Sequence, residues 1–167
     1  MSKSSEQKDL KKIDGLIAGF STAALVTVSR DGELRSRPMT VAGCRRGSVL
    51  YFFSRAEDEK LKEIIHQPRV NVVMQKENIC LSVSGRATIS VDRELFSQFW
   101  SPAARLWFPE GINDPQLRLV TVEPVYAECW DRSGIRKLEF WWEAGKALVS
   151  NRKSADEELS GHAKIKL

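Results

Sequence analysis

The chain has 167 residues, of which 42% are hydrophobic and 29% charged, so its composition is that of one globular domain and excludes a disordered chain. No apolar run reaches the ~18 residues of a membrane span, and the polar N-terminus lacks the hydrophobic segment of a signal peptide. The net charge is +4, but basic and acidic residues are interleaved, which disfavours an extended nucleic-acid surface. We therefore expect a soluble, cytoplasmic protein whose charge suits a small anionic ligand.

The cysteines and histidines narrow the chemistry further. Cys44, Cys80 and Cys129 are odd in number and lack the paired spacing of a zinc site or the density of a disulfide framework, which favours a reducing compartment. His66 and His162 are too isolated to predict a metal cluster or a Ser-His-Asp triad. The sequence thus predicts no metal site and disfavours a hydrolase.

Four segments carry helix signals. The first begins at a capping box and has apolar residues at helical spacing, and the second is capped by an aspartate and stopped by a proline. The predicted helices run from Ser4 to Gly19, from Asp58 to the residue before Pro68, from Asp92 to Trp100 and from Lys137 to Ser150.

Strand signals occupy most of the remaining sequence. Asp31-Gly32 predicts a hairpin, Gly85 predicts a bulge or barrel corner, and Pro124 separates the last two runs. Residues 101–115, with three prolines, read as an aromatic loop. The predicted strands cover residues 23–29, 34–41, 48–54, 70–75, 79–91, 117–123 and 125–130.

The order of these elements predicts a mainly β fold. Six or seven strands with only short helices between them, and no βαβ alternation, favour an antiparallel barrel over a doubly wound sheet. The glycine motifs of dinucleotide folds and P-loops are absent. We assign residues 1–150, with the N-terminal and C-terminal helices, to one domain, and expect residues 151–167 to form a polar, flexible tail.

Short motifs along the chain resemble those of one family of split barrels. They are Arg37-Pro38-Met39-Thr40, Tyr51-Phe52-Phe53-Ser54, Lys60, Val83–Ala87, Leu106–Pro109 and Tyr126–Trp130. In order and spacing, across residues 8–150, they resemble the general stress protein 26 branch of the pyridoxamine 5′-phosphate oxidase-like, FMN-binding split barrels. The resemblance implies a six-stranded antiparallel split β-barrel that forms a homodimer, with FMN in two grooves at the subunit interface.

The resemblance also implies the residues that hold FMN. Lys60, near the start of a helix, would meet the phosphate, and Arg37 is a second cation. Backbone groups beside Pro38 would meet the polar edge of the ring, and Trp107 would cover the flavin of the other subunit. The implied FMN-binding residues are Arg37, Pro38, Met39, Thr40, Phe52, Phe53, Ser54, Lys60 and Trp107. Phe52 and Phe53 point to opposite sides of a strand, so only one of them can touch the ring.

Two departures from the family pattern matter. Val41-Ala42 stand where the oxidases have a lysine that holds the substrate, which disfavours a pyridoxamine phosphate oxidase. Glu57, Asp58 and Glu59 place three carboxylates beside Lys60 and should weaken the binding of phosphate.

The leading functional hypothesis is a flavin-dependent oxidoreductase of the stress-protein type that passes electrons or a hydride to a small acceptor, with NAD(P)H as a possible donor. No residue is a convincing catalytic acid or base. The alternative is a flavin carrier or redox sensor without turnover, which the missing substrate cation favours. A haem-binding relative and nucleic-acid binding through the basic tail are weaker alternatives. Without the resemblance, Lys60 would be read as a solvated helix residue and Arg37 as a charge that protects a strand edge.

Overall fold

The architecture was obtained as a computed structural model, and it is described for residues 15–45, 48–131 and 162–166. The strands are β1 (Thr22–Val28), β2 (Leu34–Thr40), β3 (Gly43–Arg45), β4 (Val49–Arg55), β5 (Arg69–Lys76), β6 (Ile79–Ser90), β7 (Leu117–Asp131) and β8 (His162–Lys166). The helices are α1 (Glu59–His66) and α2 (Arg93–Phe99), with short 3₁₀ helices at Pro102–Leu106 and Gly111–Asn113. Residues 15–17 are also helical.

The strands form one antiparallel sheet that curls until its ends meet. The strand order is β2-β1-β5-β6-β7-β4-β3, and β8 pairs with β7. The end strands β2 and β3 are separated in the chain by only Val41 and Ala42. The N–H of Val41 donates to the carbonyl of Ser21 beside β1, and that of Ala42 donates to Tyr51 in β4, at 3.0 and 2.8 Å. A flat sheet could not bring its two ends so close, so this curvature fits the predicted split barrel.

The long strand β7 is continuous through Pro124. Gly85 of β6 lies opposite Pro124 and Ser84 lies opposite Tyr126, which leaves Val125 as an extra residue on β7. A proline lacks the N–H that a regular ladder needs, and a bulge accommodates this loss. A Cβ at residue 85 would collide with the carbonyl oxygen of Glu123, so glycine is required there. The bulge was predicted at Gly85, and the extra residue lies on the opposing strand.

Alternating side chains fill the barrel. Fully buried residues recur every second position on the strands, which is the period of a sheet with one face in the core. They include Leu25, Leu50, Phe52, Val72, Met74, Leu81, Val83 and Val120. Leu61 and Ile64 of α1 pack against this core, so the helix is held on the barrel by its apolar side.

A second apolar cluster lies on the other face of β4. Tyr51 and Phe53 point away from the barrel core and pack with Phe96 of α2, Phe108, Leu117 and Leu119. The Tyr51 and Phe99 rings stack at 3.9 Å between centroids. Apolar side chains therefore cover both faces of this strand.

Several predictions about the fold need correction. The described residues contain eight strands where the family resemblance implied six: the two predicted strands on either side of Pro124 are the single strand β7, and β3 and β8 are additional. β3 has three residues, lies between two predicted strands and is too short to give a sequence pattern. His162–Lys166 pairs with β7, so this part of the predicted flexible tail is a strand; its alternating Ala163 and Ile165 fit a strand period. The predicted helix over 137–150 lies outside the described residues, and so does the first predicted helix up to residue 14.

The described helices are short. None of those in residues 15–131 combines the length and the hydropathy that crossing a bilayer requires.

Candidate functional site

The turn from β4 to α1 brings donor groups together at one end of the helix. Arg55 ends β4, and the N–H of Asp58 donates to the carbonyl of Arg55 at 3.1 Å, which closes the turn. The next turn is closed by the N–H of Leu61, which donates to the carbonyl of Asp58 at 3.0 Å. Asp58 is therefore the residue before the first turn of α1, where the helix N–H groups lack intrahelical partners.

Three donors meet one carboxylate oxygen in this turn, and we call them together with their acceptor the Asp58 cluster. Oδ2 of Asp58 accepts from Oγ of Ser54 at 2.6 Å, from the N–H of Arg55 at 3.0 Å and from Nζ of Lys60 at 2.5 Å. Ser54 is buried, and the side chain of Lys60 is only 12% exposed. Burial alone would raise the pKa of Asp58, but the hydrogen bonds from Lys60, Ser54 and Arg55 outweigh it and hold that pKa below the ordinary value.

A second ion cluster, the Glu63 cluster, lies one turn further along α1. Both terminal guanidinium nitrogens of Arg37 donate to the Glu63 carboxylate, at 2.7 and 2.9 Å, and Arg37 also donates to Oγ1 of Thr27 at 2.8 Å. Thr27 in turn donates to Glu63 at 2.5 Å, and Arg35 lies 3.4 Å from the same carboxylate. The Glu63 side chain is 3% exposed, and the Arg37 hydrogen bond, aided by Thr27 and by the charges of both arginines, holds its pKa below the ordinary value.

The Glu63 cluster fastens α1 to the β1–β2 hairpin. Arg37 lies on β2, Thr27 on β1 and Glu63 on the helix, so their bonds join three elements. The guanidinium of Arg37 already has a two-bond carboxylate partner, and this placement makes it a weaker candidate for a phosphate contact than Lys60.

The other predicted residues on β2 lie along an end of the sheet. β2 pairs with β1 on one side and ends the described strand order, so alternate backbone groups point away from β1. Pro38 and Thr40 are exposed, whereas the side chain of Met39 is buried in the barrel core. Only the backbone of Met39 is thus available to a ligand at this edge.

The aromatic residues are placed differently from one another. Phe52 has no exposed surface in the barrel core, so of the two neighbouring phenylalanines it is the one that belongs to the core, and Phe53 stays the candidate for a ring contact. Phe53 is partly buried among Phe96, Trp100 and Phe108. Trp107 is 64% exposed beside the β4–α1 turn, so of the three it presents the largest apolar surface to a partner or a ligand.

Arg55 was not predicted as a site residue from the sequence, yet it links the Asp58 cluster to Trp107. Its guanidinium donates to the carbonyl of Trp107 at 2.7 Å and lies 5.8 Å from the centre of the Phe108 ring. Its N–H belongs to the Asp58 cluster. The signal that could have identified Arg55 in the sequence is its position directly after Ser54. The structure therefore brings Ser54, Lys60 and Trp107 to one region, and Arg37, on β2, is bonded to Glu63 of the neighbouring helix α1.

The residues at this turn fit a phosphate ester in type. An ammonium, a hydroxyl and a backbone N–H are the donors that a phosphate uses, and they converge within bonding distance of one anionic oxygen. Here that oxygen is supplied by Asp58, so the carboxylate marks the position of an anion.

The sequence of this chain is similar to those of known proteins. A model of the family described as pyridoxamine 5′-phosphate oxidase like matches residues 8–156. The protein bli-3 of Neurospora crassa is 28% identical over an alignment of 110 residues, and the match covers 59% of this chain and 53% of bli-3. The chain thus spans about half the length of this curated relative.

Solved structures agree on the fold. A candidate general stress protein 26 from Jannaschia sp. CCS1 superimposes with a TM-score of 0.68 at 20% identity, over 96% of this chain and 99% of the other. The general stress FMN/FAD binding protein of Xanthomonas citri gives a TM-score of 0.62 at 20% identity, over 93% and 100%. Since the family match covers most of the sequence, the chain belongs to the pyridoxamine 5′-phosphate oxidase-like family.

Proposed function

We propose that this protein is an FMN-binding flavoprotein of the general stress type, acting as a flavin-dependent oxidoreductase on a small acceptor. Family membership supports a flavin, and a structure of the same fold is described as binding FMN or FAD. The single observation that carries the proposal is the convergence of Ser54, the N–H of Arg55 and Lys60 on one anionic oxygen. A flavin mononucleotide ends in a phosphate that such donors bind.

The phosphate end would be held by Lys60 and Ser54. Lys60 supplies a charge that its low exposure shields from water, and a partly buried charge interacts more strongly than one in bulk solvent. Arg37 would act from a distance, by fixing α1 and by adding positive potential.

The ring would lie along the end strand β2. The backbone groups of Pro38, Met39 and Thr40 at this edge can pair with the polar edge of a flavin, because the described sheet gives β2 a partner on one side only. Thr40 adds an exposed hydroxyl.

The site would be completed by a second copy of the chain. Leu106 and Trp107 are 83% and 64% exposed, and large apolar side chains in this arrangement are typical of interfaces. In a homodimer, Trp107 of one copy would cover the flavin of the other and exclude water from it.

FMN, when bound, supplies the chemistry of hydride or electron transfer. The chain's own residues orient it, neutralise its phosphate and limit the access of water. We place this activity in the cytoplasm, because the three cysteines are odd in number and widely spaced, which suits a reducing compartment.

A flavin carrier or redox sensor is the second candidate. Val41 and Ala42, which join β2 to β3, stand beside the proposed ring site and provide no cation to hold a substrate. A binding module needs no such group.

The test is a titration of the purified protein with FMN, followed by flavin fluorescence, together with its mass by analytical ultracentrifugation. We expect saturable binding by a dimer. A strict monomer that leaves FMN fluorescence unchanged would reject the proposal. Stopped-flow mixing of the loaded protein with NAD(P)H and an acceptor then separates the two candidates, because a carrier does not support multiple turnovers.

A further inference from the structure

One carboxylate of the chain lies where the phosphate of the flavin would bind. We propose that Asp58 is an internal competitor of the FMN phosphate, and that FMN binds only when the Asp58 carboxylate leaves Ser54 and Lys60. This inference rests on the proposed function, because it concerns the same donors. It goes beyond that function by naming the residue that sets the affinity.

The geometry leaves little room for both anions. Ser54, the N–H of Arg55 and Lys60 all donate to Oδ2 of Asp58. A phosphate that reached the same donors would bring two negative groups into contact in a partly buried position, where their repulsion is weakly screened. One anion must therefore leave for the other to bind.

A second position for the Asp58 carboxylate exists at the helix itself. Asp58 precedes the first turn of α1 with extended backbone angles, φ −61° and ψ 131°, but its side chain makes no capping hydrogen bond. Asp92 occupies the same place at α2, with φ −70° and ψ 114°, and there the side chain accepts from the N–H groups of Glu94 and Leu95 at 2.9 and 3.3 Å. By rotating its side chain, Asp58 can cap α1 as Asp92 caps α2 and release Lys60 to the phosphate.

The neighbouring acids do not share this role. Glu59 pairs with Lys62 at 2.9 Å, and Glu57 is exposed. All three acids carry the same charge within three residues, but the bonds to Ser54 and Lys60 belong to Asp58. A purely electrostatic effect would treat Glu57 and Asp58 alike, whereas direct competition singles out Asp58.

The experiment compares Asp58→Asn with its matched control Glu57→Gln, each removing one negative charge at adjacent positions. FMN and riboflavin affinities are measured by fluorescence titration, and circular dichroism verifies the fold. Asp58→Asn should tighten FMN binding about tenfold, because a neutral amide competes poorly for the ammonium of Lys60. Riboflavin, which lacks the phosphate, should bind all proteins within about twofold of each other, and so should FMN to Glu57→Gln.

The outcomes separate this inference from the proposed function. If the wild type binds FMN but Asp58→Asn gains no more than Glu57→Gln, or gains equally for riboflavin, the inference is overturned while the function stands. If neither the wild type nor Asp58→Asn binds FMN, both fail. Asp58→Ser retains a capping hydroxyl without the charge, and it should reproduce the gain if the asparagine variant folds poorly.

Discussion

The two ion clusters on α1 contain similar groups but differ in the burial of their carboxylates and in the origin of the donors that bind them. In the Glu63 cluster, a buried carboxylate is satisfied by a two-bond arginine, a threonine and a second arginine, and the bonds join β1, β2 and the helix. In the Asp58 cluster, the side chain of Asp58 is 30% exposed and its donors come from one short segment, residues 54–60. A cation paired with a carboxylate can therefore either stabilise the fold or bind a ligand, depending on whether the carboxylate can move away from it.

Their positions explain this division. Glu63 cannot move without leaving the partly buried guanidinium of Arg37 without its carboxylate partner, which is unfavourable. Asp58 lies at a helix start, where alternative donors are one side-chain rotation away. We therefore expect the Glu63 cluster to determine stability and the Asp58 cluster to determine affinity for a phosphate.

The largest expected effect is on stability. Glu63→Ala should lower the free energy of unfolding by about 3 kcal/mol, because it leaves Arg37 without its carboxylate. Urea denaturation measures this difference. Glu59→Ala is the matched control on the same helix, since it breaks only the exposed pair with Lys62 and should change stability by about 0.5 kcal/mol or less. Equal effects of the two variants would remove the distinction between buried and exposed pairs.

The next effect is on binding. Lys60→Ala should weaken FMN affinity about tenfold to a hundredfold, because it deletes a charge-assisted contact to the phosphate. Arg37→Lys is its counterpart in the other cluster. It keeps the positive charge but loses the two-bond geometry, so we expect lower stability and FMN affinity within about threefold of the wild type. Fluorescence titration of both variants checks this, and wild-type affinity in Lys60→Ala would show that Lys60 is not a ligand.

A smaller effect should appear on acidification. The pKa of Glu63 is lower in the folded protein than in the unfolded chain, so its contribution to stability is present above the unfolded value of about 4.3 and is lost as pH falls through the folded value. The gap in unfolding free energy between the wild type and Glu63→Gln should therefore narrow from pH 6 to pH 3. Urea denaturation at several pH values measures it, and a gap that stays constant would contradict the assignment.

Much of the fold could be predicted because its signals are local. Asp31-Gly32 gave the β1–β2 hairpin, and Asp58 with Pro68 bounded α1 within a residue or two. Pro124 was less informative. A proline usually ends a strand, but the bulge at Val125 absorbs the missing N–H and lets β7 continue.

The candidate site was predicted only in part, because its character depends on distant partners. Lys60 and Ser54 could be found from a motif. Glu63, the partner of Arg37, is however 26 residues away in the sequence, and no local pattern predicts that Glu63 is buried. The same limit applies to Phe52, since strand alternation says that two neighbours face opposite sides but not which side is the interior.

The long strand β7 shares one of its edges between two neighbours. β4 pairs with residues 117–122 and β8 with residues 126–130, on either side of the bulge. If β8 were removed, the second half of that edge would present unsatisfied amides and carbonyls, the template on which chains add strands to one another. Because β8 follows β7 only after residues 132–161, its strand could also be exchanged between molecules, as in domain swapping. Truncated forms of this protein should therefore be judged first by their tendency to self-associate.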